Sequence, residues 1–501
     1  LYELALRALG ATAQPSPAAR YELLMALGSA RYRSTGPLGA RAAFAQALEL
    51  AELEHDPERQ ALAALGPGLE RFLGGVGEVD RDAVDALERA DRALGDPDSR
   101  LKARVRTQLL FERTFLDSLA ERQARANDLT ALVRRLGDPG AAIEAFVARG
   151  VALWHPGYTE ELLDELPEML VLAERLDRPD VAMHLNCTAF GWALALGRPP
   201  TLERCLEAAD EAAHRLRAPV QLSRVRALRV TRLLLRGELA AAQDAMAAML
   251  PLARELFPEV AREIELIWSY VLARERGGID RVRATLETVL AGAPMPTVRA
   301  MLAEACVLAG DLDGAAEQLA ALAARDFADL HEDFLSLSVL SVAGTVAELL
   351  EDRPHAAQIV ERLRPWTDRN VILGLAASHR PVSITLGALE HLLGDDDAAL
   401  DLLGAAGDRA AAMSARPWQA DALYERGRVL LASKHRSRRA EGQAALVRAA
   451  EIADGYGGTL LARRARTALA GAAPGEHGER PRGSRAPVGT SRRGHPRRAL
   501  P

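Results

Sequence analysis

Aromatic residues make up only 4% of this 501-residue chain, lysine occurs only as Lys102 and Lys434, and cysteine only as Cys187, Cys205 and Cys306. With few rings against 49% apolar residues, the interior must be filled by Leu, Ala and Val, a composition of closely packed helices. The lysine shortage excludes a P-loop. That site needs Gly-Lys followed by Ser or Thr, so that backbone amides cradle phosphates while the Lys neutralises them. Here Lys102 follows Leu101 and Lys434 follows Ser433. Three widely spaced cysteines exclude a disulfide framework and a metal knuckle, and fit a reducing cytoplasm. No apolar run approaches the roughly 18 residues of a membrane helix, and Leu1 opens in mid-amphipathic pattern without a signal-peptide layout. The chain reads as part of a longer gene product.

Motifs for chemistry are missing as well. There is no His-Glu-x-x-His helix for zinc, no Gly-x-Ser-x-Gly nucleophile turn and no dinucleotide fingerprint after a strand. Gly66-Pro67-Gly68 and Gly74-Gly75-Val76-Gly77 read as loop, since nothing strand-like precedes them. Carboxylate pairs such as Glu160-Glu161 lie on amphipathic helices and read as solvated faces. The expectation is a chain without catalytic residues, cofactor or metal ligands of its own.

What the chain does have is a recurring helix hairpin. In residues 302–322, Leu302, Cys306 and Ala309, then Leu312, Ala315, Ala316, Leu319 and Leu322, keep the spacing that gives each helix one buried stripe. Gly310 separates the stripes and can take the left-handed conformation after a helix end, and Asp311 can cap the next helix. Similar joints fall at Gly197, Gly237, Gly277, Asp352 and Gly394. Their spacing, mostly about 40 residues with one step near 33, is that of degenerate tetratricopeptide or HEAT-like pairs. Farther upstream, Tyr21–Arg33 and Ala40–Glu54 carry two stripes parted by Ser34-Thr35-Gly36-Pro37, and a last pair is predicted near Pro417–Ala432 and Ala440–Tyr456, with a cap at Leu460–Leu469. The fold class is all-α, a tetratricopeptide-like α-solenoid of stacked antiparallel helix pairs over residues 1–470. Residues 471–501, rich in Gly, Pro and Arg with seven Arg against two Glu, form a basic tail that cannot build a core. Its arginines could neutralise phosphates, but with no aromatic for stacking and no helix pattern it offers no sequence-specific nucleic-acid contact.

Tyr2-Glu3-Leu4-Ala5-Leu6-Arg7-Ala8-Leu9, Tyr21-Glu22-Leu23-Leu24-Met25-Ala26-Leu27-Gly28, Arg325–Leu330 and Pro365–Val371 resemble stretches of the C-terminal repeat region of large bacterial ATP-binding regulators. These are the MalT-like, LuxR-type activators and related signal-transduction ATPases, some fused to nucleotide cyclases. The resemblance implies a region that senses an inducer or a protein partner on its concave face and controls a nucleotide-binding switch outside this chain. The C-terminal helix-turn-helix of LuxR-type members has no counterpart in the Arg/Pro/Gly tail. A free-standing helical-repeat adaptor is the other reading, and oligomers are compatible with both.

Six residues stand out as ligand or partner contacts. Arg369, Asn370, His379 and Arg380 place polar donors at the predicted start of a long apolar helix, either as an inner-face recognition site or as a helix start that Asn370 caps while the arginines reach solvent. Trp192 and Trp268 read either as array core or as walls of a binding cage. His155, between Trp154 and Pro156, reads as a loop residue at a helix end.

Overall fold

Short polar residues set just ahead of the helices, often beside proline, decide where this chain starts to coil. The computed structural model describes residues 1–11, 16–66, 79–217, 219–256, 258–293 and 295–472. The predicted Gly-rich loop beyond Gly66 and the basic tail beyond Ala472 lie outside the described residues. Among the described residues the helices are α1 Tyr2–Gly10, α2 Pro17–Leu53, α3 Pro57–Leu65, α4 Arg81–Ala93, α5 Arg100–Glu112, α6 Leu119–Leu136, α7 Pro139–Ala152, α8 Thr159–Arg175, α9 Pro179–Leu196, α10 Pro199–Leu216, α11 Pro219–Arg236 and α12 Leu239–Leu256. They continue as α13 Pro258–Arg276, α14 Ile279–Gly292, α15 Pro296–Ala309, α16 Leu312–Ala323, α17 Ser336–Leu349, α18 Arg353–Leu363, α19 Val382–Leu393, α20 Asp396–Ala412, α21 Arg416–Ala432, α22 Arg436–Tyr456 and α23 Thr459–Ala472. Asp56, Asp138, Asp311, Asp352 and Asp395 each accept a backbone N–H of the following first turn, satisfying donors that have no intrahelical partner.

All six predicted joints fall between helices. Gly310 takes φ 86° and Asp311 accepts from the Gly314 N–H at 3.0 Å, so the hairpin of residues 302–322 has the capping read from its sequence. At the joint before α18 the left-handed position is filled by Glu351, φ 55°, in place of glycine. The predicted break at Ser34–Pro37 takes a different form, because hydrogen bonding is helical throughout α2. The chain nevertheless reverses between Gly28 and Phe44. A Cβ on Gly28 would lie 2.7 Å from the Phe44 ring, whereas a straight helix would hold the two about 24 Å apart. The two arms of α2 therefore pack as a hairpin, with Tyr21, Leu24, Ala47 and Ala51 in one core cluster.

Helices pack on their sequence neighbours, and a second set of contacts joins alternate helices from α3 to α11 and from α13 to α23. The odd-numbered helices thus form an inner layer and the even-numbered ones an outer layer, the architecture of an all-α solenoid. Inner helices such as α17 and α19 are buried nearly all round, while outer ones such as α16 and α18 bury one stripe. Ala315, wholly buried in α16, sits within the largest core cluster. Ala315→Glu is expected to cost more than about 2 kcal/mol, because an unpaired carboxylate would be forced into that contact. An unchanged midpoint in urea denaturation would rule out this register.

Two features go beyond a simple stack. First, the array closes on itself: α21 packs on α11 and α23 on α13. Across that seam Arg416 donates to the Arg236 carbonyl at 2.9 Å, Thr459 to the Arg276 carbonyl at 2.8 Å and the Tyr456 hydroxyl to Glu275 at 2.9 Å. Gly237, φ 75°, lies where a Cβ would meet Tyr456 at 3.0 Å and Pro417 at 3.3 Å, so only glycine fits the turn. Second, between α18 and α19 the chain leaves the helical pattern. Strands β1, Ile372–Leu373, and β2, Ala377–Ser378, pair antiparallel about a turn containing Gly374, φ 60°. This hairpin packs against α9, α11, α13 and α17 and so fills the inside of the curve.

Candidate functional site

The site builds outward from this hairpin. Its exposed backbone groups would be costly inside an apolar ring, so each must find a partner. The Thr231 hydroxyl of α11 donates to the Leu375 and Ala376 carbonyls at 2.8 and 2.6 Å, and the Trp268 indole of α13 donates to the Ala376 carbonyl at 2.8 Å. At the other end Asn370 donates its backbone N–H to the Ala195 carbonyl and its side-chain amide to the Leu194 carbonyl, both at 2.8 Å. Trp268→Phe is expected to cost only about 1 kcal/mol, since Thr231 still serves the same carbonyl. Combined with Thr231→Val it should cost more than the sum of the singles, as the buried acceptor is then orphaned; a double-mutant cycle by urea denaturation checks this.

The hairpin delivers His379 and Arg380, 1% and 2% exposed, into a buried charged cluster at one end of the ring. Inner helices add carboxylates: Glu304 from α15, Glu348 from α17, Asp421 and Glu425 from α21. Buried carboxylates require cations, and Arg274, Arg380 and Arg428 pair with them while Arg464 lies close by. Glu304 accepts from the Tyr270 hydroxyl and lies 3.2 Å from Arg274 and 3.6 Å from His379. Burial alone would push the Glu304 carboxyl up, but Arg274, His379 and Tyr270 together hold it well below the usual carboxylate range. Arg428 bridges Glu348 and Glu425. Burial, then the neighbouring Glu348, pushes the Glu425 carboxyl up, and burial does the same to Glu275. His379 is pushed down to about 4, by burial first and by Arg274 next, despite the adjacent Glu304. Beside the cluster lies a crevice of about 60 Å³.

Of the six residues picked from sequence, His379 and Arg380 meet in this cluster and Trp268 anchors the strand that carries them. Arg369 and Asn370 lie together elsewhere, in a recess of about 20 Å³ with Trp154 and Ile372, where Arg369 pairs with Asp368 at 2.5 Å. Trp192 is wholly buried in α9, edge-on to Phe146 at 6.3 Å, and belongs to the core. The helix-start reading is corrected: α19 begins at Val382, Asn370 caps nothing, and Arg380 does not reach solvent. Sequence reasoning passed over Glu304, Arg274, Glu348 and Glu425. The signal that could have found Glu348 is a lone carboxylate in the otherwise uncharged helix Ser336–Leu349, whereas Arg274 and Glu425 lie in helices rich in charge that give no such signal.

The three thiols are buried and free, and burial pushes Cys205 up to about 11, which leaves it inert. Among the described residues no group of His, Cys, Asp and Glu could hold a metal ion, and no helix is long and apolar enough to cross a membrane. The class that this architecture defines is the helical-repeat protein. No family model and no curated protein matches the chain. Among solved structures it is similar to one described as a circular tandem repeat protein with novel repeat topology and enhanced subunit contact surfaces, 15% identical over 94% of this chain and 96% of that one, with a TM-score of 0.15. The assignment of an α-solenoid rests on the helix pairs themselves.

Proposed function

We propose that the chain is a non-catalytic, ligand-sensing and protein-interaction array working in the cytoplasm, the regulatory arm of an ATP-dependent regulator of LuxR type or of a related signalling ATPase. The observation that carries the sensing role is the ring closed around a hairpin, with a crevice bordered by buried charges. A ligand taken up there would bear on α11, α13, α21 and α23 together, since the crevice is lined by Leu234, Arg274, Asp421 and Arg464 from those four helices. Occupancy would therefore shift the balance between closed and open seams. The regulatory connection is supported by the likeness of its first helices to the repeat regions of such regulators.

The test is to read the gene in frame ahead of Leu1 and to assay the full product. An open frame with a Gly-x-x-x-x-Gly-Lys-Ser/Thr loop, and nucleotide hydrolysis that changes when residues 1–472 are deleted, is the expected result. A start codon at this point with no such module would overturn the regulatory-arm reading and leave an adaptor.

A further inference from the structure

The crevice at the seam has a polar end with a buried donor that no protein group takes. Arg380 reaches Thr385 at 3.2 Å, Glu425 at 3.5 Å and Asp421 at 3.7 Å, and its remaining Nη2 is buried with no hydrogen-bond partner. Arg464 lies over the Tyr424 ring at 4.7 Å and, among the described residues, has no carboxylate within ion-pair distance. Both guanidinium groups line the crevice. Most of the nearby carboxylates are engaged: Glu304 by Tyr270 and Arg274, Glu425 by Arg428, Glu275 by Tyr456; Glu348 pairs with Arg428 through one oxygen and keeps the other without a hydrogen-bond partner, and Asp421 lies 3.7 Å from Arg380 and 4.0 Å from Arg274. A buried guanidinium with unused donors calls for an oxygen acceptor, and the planar fork matches a carboxylate.

We propose that this crevice binds a short-chain monocarboxylate, its carboxylate held between Arg380 and Arg464 and its carbon chain against Leu234, Val271 and Leu308. Three observations select that class. The crevice, about 60 Å³, holds roughly four to six waters at ~10–15 Å³ each, the bulk of a two- to four-carbon acid. Its far walls are apolar. Finally, four arginines face the five carboxylates of Glu275, Glu304, Glu348, Asp421 and Glu425, so a multiply charged phosphate would meet no net positive field, whereas a single negative charge needs only the unused donors. This deepens the sensor reading by naming its ligand class, and it stands or falls on binding alone.

The experiment is a thermal-melt and calorimetric titration of the full chain with acetate and butyrate, against potassium chloride and inorganic phosphate at matched ionic strength. The expected result is a saturable rise in Tm with butyrate, one site per chain by calorimetry, absent with chloride and phosphate. Arg464→Met, at a partly exposed position that should leave the fold intact, is expected to weaken butyrate at least tenfold. No saturable binding of either acid, an equal shift with phosphate, or unchanged affinity in Arg464→Met would each overturn the proposal. Butyrate binding by a product with no ATPase would leave this site standing and sink the regulatory arm; an ATPase with no butyrate binding would do the reverse.

Discussion

Glu304→Gln is expected to lower the unfolding free energy by about 3–5 kcal/mol at pH 7, near the top of the range for a single substitution. The glutamine keeps the shape and one acceptor oxygen, so the loss reads the charge. In the native ring Glu304 is 1% exposed and meets Tyr270, Arg274 and His379 at once. Without its negative charge, Arg274 keeps, among the described residues, only Asp421 within ion-pair distance, at 4.0 Å, and a buried guanidinium is left short of a counter-ion. Because the native carboxyl is held below its ordinary range, its contribution is fully present above the unfolded value near 4.5 and fades as pH falls towards the native one. Urea denaturation of both proteins at pH 7 measures the difference. A loss under about 1 kcal/mol would mean that Asp421 takes over the pairing and that the network is redundant.

The helix pairs were legible because their determinants are local. A stripe at period 3.6, an aspartate ahead of a helix and a glycine after it act within one or two turns, and the sequence shows them at Gly310-Asp311 as plainly as the structure does. The final pair was readable to within a few residues, with α21 and α22 at Arg416–Ala432 and Arg436–Tyr456. Ring closure was not legible, since Tyr456 and Glu275 are brought together by the summed curvature of many pairs and carry no mutual pattern. The hairpin was hidden for another reason. Val371-Ile372-Leu373 and Ala376-Ala377 followed by Val382-Ser383-Ile384 read as one apolar segment, and periodicity alone does not separate a short buried strand from a helix start. His379 and Arg380 were picked as polar donors near an inner face, which is where they lie, but their carboxylate partners Glu304, Asp421 and Glu425 are far off in sequence, on other helices.

The hairpin also explains why the ring tolerates so much charge. A solenoid groove left open would hydrate these arginines and carboxylates, whereas the β1–β2 segment shuts water out on one side and forces each group to choose a protein partner or none. Interactions in such a setting are stronger than at the surface, and unpaired groups correspondingly costlier. The charged end of the ring is therefore the part of the structure most responsive to a change in protonation or occupancy.

His379→Gln should flatten the acid side of the stability profile. In the native ring the imidazole is buried, donates or accepts only at Ser341, 3.4 Å away, and lies between Glu304 and the guanidinium groups of Arg274 and Arg380. Burial and the two cations push it down to about 4, against about 6.5 in the unfolded chain. Between those values the unfolded state binds a proton that the native state refuses, so stability falls as pH drops, by about 3 kcal/mol over the full interval at ~1.4 kcal/mol per pH unit. The buried Glu275 and Glu425, whose carboxyls are pushed up, act in the opposite direction, gaining stability as pH falls through their native values. They are present in both proteins and cancel in the difference. The expected outcome is that the variant, whatever its stability at pH 7, loses about 3 kcal/mol less than the parent on going from pH 7 to pH 4 in a series of urea titrations. Parallel curves for the two proteins would mean that His379 is already charged in the native ring, paired with Glu304 as an ion pair, and that the charged end of the seam carries one more positive charge than the balance above assigns to it.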